Sequence, residues 1–220
     1  MTREEIRDRF RQENPELTTR VVTDAALNSW CIVGNQEICA RARLIVDDEV
    51  ITLTEDEDEY NLTNLLTRFY DIDENPGGGV SRIDTDDKEK RIKKVSIAEL
   101  DDLSSSWRTA SSGTPKRYYR RGQFMHFQPA PDSTVDEAHI YFVAIADDFD
   151  DDSKTPYNQL EHLEPFHYGI VKYLEWRAKG KVGKPKDAAT ARDEYLAYIQ
   201  WIIKSVGGGK NSVIYLRPKI

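Results

Sequence analysis

The fold is decided by the stretch YYRRGQFMHFQPAPDSTVDEAHIYFVAI, residues 118–145. Tyr118, Phe124, Phe127 and the run Ile140–Ile145 supply aromatic and β-branched positions, which favour strands. A proline-rich connection, Gln128–Ser133, lies between Phe127 and the run Ile140–Ile145. The stretch therefore predicts an antiparallel hairpin or meander of two to four strands.

Strand-like patterns continue on the N-terminal side of this stretch. From Asp47 apolar and polar residues alternate, so that Ile51 and Leu53 share one face. Ile92–Val95 is a second strand-like run, and Asn75–Gly79 predicts a glycine-rich loop between the two. A β-rich segment is therefore expected from about residue 47 to about residue 153.

The N-terminal residues predict two helices. A capping-box pair, Thr2 and Glu5, begins the first, and Asn14-Pro15 ends it because a residue before proline leaves the α region. The second is expected from Thr18 or Thr19 to about residue 46, where apolar residues recur with near-helical spacing. Gly34-Asn35 in its middle is a weak point that favours a kink.

The two cysteines fall on this second helix. Cys31 and Cys39 are eight residues apart, which is about 12 Å along a helix. A disulfide needs Cα atoms within about 7 Å, so the pair is predicted to be reduced and buried. This pattern indicates a protein made in a reducing cytoplasm.

The C-terminal third returns to helix. Apolar residues repeat every three or four positions from Leu163 to Ala178, and Gly180, Gly183 and Pro185 predict a turn. Asp187 is the expected cap of a last helix whose apolar stripe reaches residue 206. The two helices are expected to form an αα-hairpin.

These segments predict an α+β fold: a helical bundle built from both chain ends, with an inserted antiparallel β-rich module and an extended C-terminal tail. The expected boundaries are 1–46 for the N-terminal helices of the bundle and 47–153 for the β-rich insert. Residues 154–206 form the C-terminal helical hairpin, and 207–220 form a flexible tail.

Composition excludes several classes of protein. The 220 residues carry 31 basic and 39 acidic side chains, a net charge of −8, which argues against a dedicated binder of duplex DNA or anionic membranes. No apolar run approaches the roughly 18 residues of a membrane span. The opening MTREEIRDRF has no apolar core of a signal peptide. A membrane partner is therefore not expected.

Catalytic signatures are missing from the sequence. His162 and His167 are five residues apart instead of the four that place two metal ligands on one helix face. The glycine runs lack a following lysine and serine or threonine, and neither cysteine has a plausible base beside it. No catalytic residue, cofactor or metal site is therefore predicted.

Two acidic clusters, Glu55–Glu59 and Asp147–Asp152, leave one enzymatic alternative open. The second begins like an EF-hand loop but lacks the glycine and closing glutamate in register, so a solvated loop is favoured. The alternative is a Mg²⁺-dependent nucleic-acid-processing enzyme. The basic-aromatic run Tyr118–Arg121 would suit base stacking, but the acidic chain favours strand residues with extended arginines.

The C-terminal segment is the candidate partner-binding site. A glycine run, 207–209, precedes the residues Ser212, Val213, Ile214, Tyr215, Leu216, Arg217 and Pro218. A free apolar segment of this kind either folds back as an edge strand or pairs with a neighbouring chain by strand addition. A segment that docks on a neighbouring chain would serve assembly.

The order of features resembles the head-to-tail adaptor (connector) proteins of tailed bacteriophages. The resemblance rests on segments that occur in the same order along about three-quarters of the chain. They are Ile38–Ala42, Val95–Leu100, Thr114–Tyr119, Phe124–Asp132, the strand around Tyr141 and Leu163–His167. The stretch Asp71–Lys94 matches no pattern of these proteins.

This resemblance implies a structural virion protein and no catalysis. Such proteins assemble as rings of identical subunits, typically twelve, on the portal in the host cytoplasm. In the virion neck they form part of the DNA channel and a platform for the tail or the next neck ring. Several grip the portal with a C-terminal extension, a role that Ser212–Ile220 would suit. The alternative is a head- or tail-completion protein at another level of the neck.

Overall fold

The computed structural model describes residues 1–75, 78–84, 88–104 and 106–207. The chain divides into two compact units. Among the described residues, the helical unit contains Met1–Ile45 and residues 145–207, and the β unit contains Val46–Ala144. The predicted α+β class is confirmed.

The regular elements follow one another in this order. The helices are α1 (Arg3–Glu13), α2 (Asp24–Ala42), α3 (Leu62–Leu65), α4 (Ile97–Leu103), α5 (Tyr168–Lys181) and α6 (Pro185–Gly207). The strands are β1 (Val46–Thr52), β2 (Glu59–Asn61), β3 (Phe69–Ile72), β4 (Val80–Asp84), β5 (Glu89–Lys94), β6 (Arg117–Arg121), β7 (Phe124–Gln128) and β8 (Val135–Ala144). Across the described residues, no helix is both long and apolar enough to cross a bilayer.

Local capping signals place the first helix correctly. The Thr2 side chain accepts a hydrogen bond from Glu5 N, the Glu5 side chain accepts one from Thr2 N, and α1 ends at Asn14 as predicted. The predicted start of the second helix is wrong. Residues 18–22 form a hydrogen-bonded turn, and α2 begins after Thr23, whose hydroxyl accepts a hydrogen bond from Ala26 N.

The helix α2 is not interrupted at the predicted weak point, because it continues through Gly34 and Asn35. Gly34 faces the ring of Tyr173, and a Cβ at Gly34 would lie 2.7 Å from the ring carbon Cδ1. Glycine at this position therefore permits a close approach between α2 and α5. Both cysteines of α2 are buried and free, and burial raises the pKa of the Cys31 thiol to about 12.

Helices from both chain ends pack together in the helical unit. The predicted hairpin of the last two helices is confirmed, and α5 also packs on α1 and α2. The segment Glu161–Phe166, expected to open α5, is instead a 3₁₀ helix containing Pro165, which has no N–H to donate. The last helix begins at Pro185 and not at an Asp187 cap, in keeping with the preference for proline at the first helical position.

The β unit is built on one mixed sheet of eight strands in the order β1-β8-β4-β5-β6-β7-β2, with β3 also paired to β8. The hairpin β6–β7 is antiparallel as predicted. The insert is not wholly antiparallel, since β5 and β6 pair in parallel through Lys93–Arg117 and Lys94–Tyr118. The strand β8 does not extend that hairpin; it pairs instead with β1, β3 and β4.

The connection from β1 to β2 requires this sheet to curl. These two strands lie at opposite ends of a seven-strand path. In a flat sheet they would be about 29 Å apart, from six spacings of about 4.8 Å. The chain from Thr52 to Glu59 can span at most about 25 Å. The curled sheet encloses a core whose largest fully buried side chains include Tyr118, Phe127 and Phe142.

Candidate assembly surfaces

The predicted partner-binding residues, Ser212, Val213, Ile214, Tyr215, Leu216, Arg217 and Pro218, lie outside the described residues. The glycines at 208 and 209 do so as well. The helix that precedes them, α6, is described to Gly207. We therefore describe the surface of α6, the last described helix before this segment in the chain, and of the elements that contact α6.

A half-exposed aromatic cluster lies on α6 and the 3₁₀ helix before α5. The Trp201 ring is 5.3 Å from the Phe166 ring and 5.1 Å from the Tyr198 ring, centroid to centroid. The Tyr198 hydroxyl donates a hydrogen bond to Pro165 O at 3.0 Å. Trp201 is 46% exposed and Ile203 36% exposed. One face of Trp201 is thus fixed by packing, and the other faces solvent.

The acidic segment Asp147–Asp152 is an exposed loop, as predicted, with Asp147, Asp148, Asp150 and Asp151 at the surface, but Asp152 is held against α1. Asp152 Oδ1 accepts a hydrogen bond from Arg3 Nε at 2.8 Å, and its Oδ2 accepts one from Arg7 Nη2 at 2.8 Å. Arg3 Nη1 also donates to Phe149 O, and both Arg3 and Phe149 are buried. Within the helical unit, these hydrogen bonds attach the acidic segment to α1.

Asn35 of α2 holds the chain at the start of this segment and again at Tyr157, beyond its end. Its amide nitrogen donates to Asp147 O at 3.1 Å, and its amide oxygen accepts from Tyr157 N at 3.0 Å. Asn35 is fully buried. Neighbouring Gln36 donates from Nε2 to Asp148 Oδ1 at 2.7 Å. These contacts give the carboxylates of Asp148 and Asp152 a structural role. In the described part of the chain, no group of three or more His, Cys, Asp or Glu residues is arranged to hold a metal ion.

Asp152→Asn is expected to lower the free energy of unfolding by about 1 kcal/mol, because the buried Arg3 guanidinium loses its charged partner while the half-exposed carboxylate is partly screened by solvent. Urea denaturation measures this loss. Asp150→Asn is the matched control, since Asp150 is exposed and its ion pair is with Lys154, four residues away. Equal stability of both variants would contradict the structural role.

The basic-aromatic run Tyr118–Arg121 consists of strand residues, as predicted. Both tyrosines are buried, and the pKa of Tyr118 is raised to about 12 mainly by that burial. Arg120 binds Asp71 and lies over the Phe69 ring at 5.1 Å from its centroid. The tyrosine rings are therefore not available as a stacking platform for bases.

Two histidines of the β unit are held by pairs of carboxylates. His139 lies 2.8 Å from Asp48 through Nε2 and 3.3 Å from Glu89 through Nδ1. His126 lies against Asp58 and Glu59 and stacks on the Tyr119 ring at 4.6 Å. In each case the carboxylates contact opposite edges of the ring, so they do not converge on one point as metal ligands would.

A basic pocket lies beside β5. We use this name for an open cavity of about 460 Å³ lined by Arg91, Lys93, Lys94, Glu74, Gly79 and Tyr118. Lys94 forms an ion pair with Glu74. Arg91 and Lys93 are exposed, and neither forms an ion pair with a described carboxylate. Sequence reasoning missed this pocket, although the run Lys90–Lys94 with its single apolar residue was the available signal.

An acidic turn lies between β1 and β2, a name we use for Glu55–Asp58. Its side chains are all exposed. Its backbone is held by three hydrogen bonds: Asp56 N to Pro131 O at 3.0 Å, Glu57 N to Thr54 O at 3.2 Å, and Phe127 N to Asp58 O at 2.9 Å. The turn therefore presents its carboxylates from a fixed backbone.

Comparison with known proteins gives one family match, which extends over both units. A family model described as "SU10 adaptor protein" matches residues 1–209. A search of curated proteins found no match. The family match ends before Ser212, so it does not cover the candidate partner-binding residues.

Proposed function

The chain belongs to the SU10 adaptor protein family, and from that premise we propose that it forms a ring between the portal and the tail of a phage particle. Twelve copies would surround the channel through which DNA passes. The match across residues 1–209, which includes both units, is the observation that carries this proposal.

Family membership confirms the predicted relationship to phage adaptor proteins. An adaptor has a structural role: it is a component of the virion and contacts other proteins of the phage head and tail. The position of the ring, its copy number and its contact with DNA are the parts that we propose beyond this.

The charge of the β unit supports a surface past which DNA moves. Residues 46–144 carry 21 acidic and 12 basic side chains, a net charge of −9. Phosphates of DNA are repelled by such a surface, so a channel lined by it would allow passage without binding. Specific DNA binding is not part of the proposed function.

The test is reconstitution with the portal protein of the same phage. The purified chain is mixed with portal rings, and the complex is analysed by light scattering and electron microscopy. We expect one adaptor ring on each portal ring. A chain that leaves portal rings unoccupied, or that binds only to a completed neck, contradicts the proposal; the second result identifies another level of the neck.

Deleting residues 212–220 is expected to weaken attachment of the ring at least about tenfold, because the segment is apolar, basic and separated from α6 by glycines. The melting transition is expected to stay unchanged. Sedimentation with portal rings measures the first effect, and circular dichroism measures the second. Replacing residues 212–216 by a glycine-serine segment of equal length is the control for chain length. A collapsed melting transition would instead identify an internal strand.

A further inference from the structure

The basic pocket contains positive charge that the described residues leave unneutralised. Arg91 and Lys93 have no carboxylate partner there, whereas nearby cations of the β unit do: Lys90 binds Asp84 at 2.7 Å and Lys94 binds Glu74. The Arg91 guanidinium lies against Gly79, whose missing side chain leaves room for it. An anionic group entering the cavity would meet two free cations and the edge of a bound ion pair.

The acidic turn has the opposite character. Glu55, Asp56 and Glu57 form no ion pair within the described chain, and only Asp58, together with Glu59, approaches a histidine. Asp56 adopts a positive φ of 64°, and the hydrogen bonds of the turn hold its backbone in place. A fixed backbone lowers the entropy lost when such a turn binds a partner.

Among the ion pairs of the described chain, none joins a residue of the turn to a residue of the pocket. We propose that the acidic turn of one copy binds in the basic pocket of a neighbouring copy. This inference rests on the proposed function, because it names the contact by which identical subunits of the ring recognise one another.

A second copy fits the pocket better than nucleic acid does. The β unit has a net charge of −9, so a DNA duplex approaching the pocket would meet net repulsion from the surrounding surface. A protein turn of four residues would bring three carboxylates that form no ion pair within the described chain into the cavity. Unlike DNA, it would not bring a long phosphate backbone into contact with the surrounding acidic surface. Complementary charges of this kind set the register of an interface and exclude wrong partners.

The contact is head-to-tail, since the turn and the pocket are different surfaces of the same chain. Repeating such a contact generates a ring when the rotation between neighbours closes. The pocket is large enough for two or three carboxylate side chains, and Arg is well suited to bidentate recognition of a carboxylate. The geometry therefore accounts for specific association of copies through charge.

The first test uses zero-length cross-linking between lysine and carboxylate side chains. Equal amounts of ¹⁵N-labelled and unlabelled protein are mixed, assembled on portal rings and treated with carbodiimide. We expect peptides that join Lys93 or Lys94 to the acidic turn, with one labelled and one unlabelled partner. Assembled rings that give no such link, or links only within one isotope type, would overturn the proposal and leave the adaptor function intact.

The second test is charge reversal with rescue. Arg91→Glu together with Lys93→Glu is expected to weaken association of copies at least about tenfold, and Glu55→Lys with Glu57→Lys in the same chain is expected to restore it. Arg121→Glu is the control, since Arg121 is exposed and lies outside the pocket. Circular dichroism of each variant verifies folding.

Unchanged association in the pocket variant would overturn the proposed contact. If the same variant also loses retention of duplex DNA, the ligand of the pocket is nucleic acid. Failure of the wild-type chain to occupy portal rings is a separate result that counts against the proposed function itself.

Discussion

Gly34→Val is expected to lower the free energy of unfolding by about 3 kcal/mol. A Cβ at Gly34 would lie 2.7 Å from Tyr173 Cδ1 and 3.0 Å from Cγ, before the two methyl groups of valine are added. Overpacking of a core typically costs about 1–3 kcal/mol. We expect a value at the upper end, because the clashing atoms, Cδ1 and Cγ, lie near the base of the Tyr173 side chain and cannot swing away easily.

The Tyr173 ring has little freedom to move away from a new side chain. Its centroid is 5.5 Å from the Trp176 ring and 5.3 Å from the Tyr195 ring, and both contacts are edge-to-face. Tyr173 and Tyr195 are both almost completely buried. Relief of the clash therefore requires α2 to separate from α5, which would expose apolar surface.

Gly180→Ala is the matched control, because this glycine is also helical but a Cβ there would be 4.0 Å from its nearest neighbour, Ala188 Cβ. We expect no loss and a gain of up to about 1 kcal/mol from helix propensity. Urea denaturation followed by circular dichroism measures both variants. If Gly34→Val were as stable as the wild type, the close approach of the two helices would be wrong.

Sequence patterns predicted the features of this fold that depend on near neighbours. The capping box of Thr2 and Glu5 and the end of α1 before Pro15 involve residues at most four positions apart. The β6–β7 hairpin likewise needs only the strand pattern around Gly122. All the residues that carry such a signal lie within a short stretch of chain, so one sequence is enough to recognise it.

Features that depend on distant residues were missed. Gly34 was interpreted as a weak point of its helix. Its real role depends on Tyr173, which lies on a helix 139 positions later and cannot be recognised from the local sequence. The exposed acidic loop was predicted but its attachment to α1 was not, because Arg3 and Arg7 lie almost 150 positions before Asp152. The strands β3 and β4 of the unassigned stretch 71–94 are placed by their pairing with β8, which composition does not reveal.

The candidate partner-binding segment was predicted from its apolar residues after a glycine run and from the family resemblance, and the described residues do not test that prediction. The apolar, basic segment 212–218 lies outside the described residues. The basic pocket was missed for a different reason: its charges come from β5, but its walls come from Gly79 and Tyr118 on other elements. A run of lysines marks a charged strand, and only the pairing of strands turns it into a cavity.

Lowering the pH from 7.5 to 5 is expected to destabilise the protein by about 2 kcal/mol through His167. This residue is 3% exposed, and its Nδ1 accepts a hydrogen bond from the Met1 ammonium at 2.7 Å. The Tyr157 ring lies 5.7 Å from it, and its Nε2 is buried with no partner among the described residues. Burial, and then the positive charge of Met1, lower the pKa of His167 to about 4.

The sign of this effect follows from the two pKa values. The unfolded chain has a histidine pKa of about 6.5, so between pH 6.5 and 4 the unfolded state binds a proton that the folded state does not. The contribution of neutral His167 is fully present above pH 6.5 and is lost as the pH falls towards 4. With a folded pKa of about 4, the loss at pH 5 is about 2 kcal/mol.

His167→Asn separates this residue from the other acid-sensitive groups. Asparagine keeps an acceptor near Met1 but cannot titrate, so the variant is expected to show a nearly flat stability between pH 7.5 and 5. His162→Asn is the control, since His162 is exposed and its loss should leave the slope unchanged. The ion-paired carboxyls of Asp84 and Asp152, whose pKa values are lowered by their hydrogen-bonded cations, lose their contribution only as the pH falls below about 4. The other histidines are the same in both proteins, so the difference between the two slopes from pH 7.5 to 5 reports on His167, and an identical slope in wild type and His167→Asn would refute the assignment.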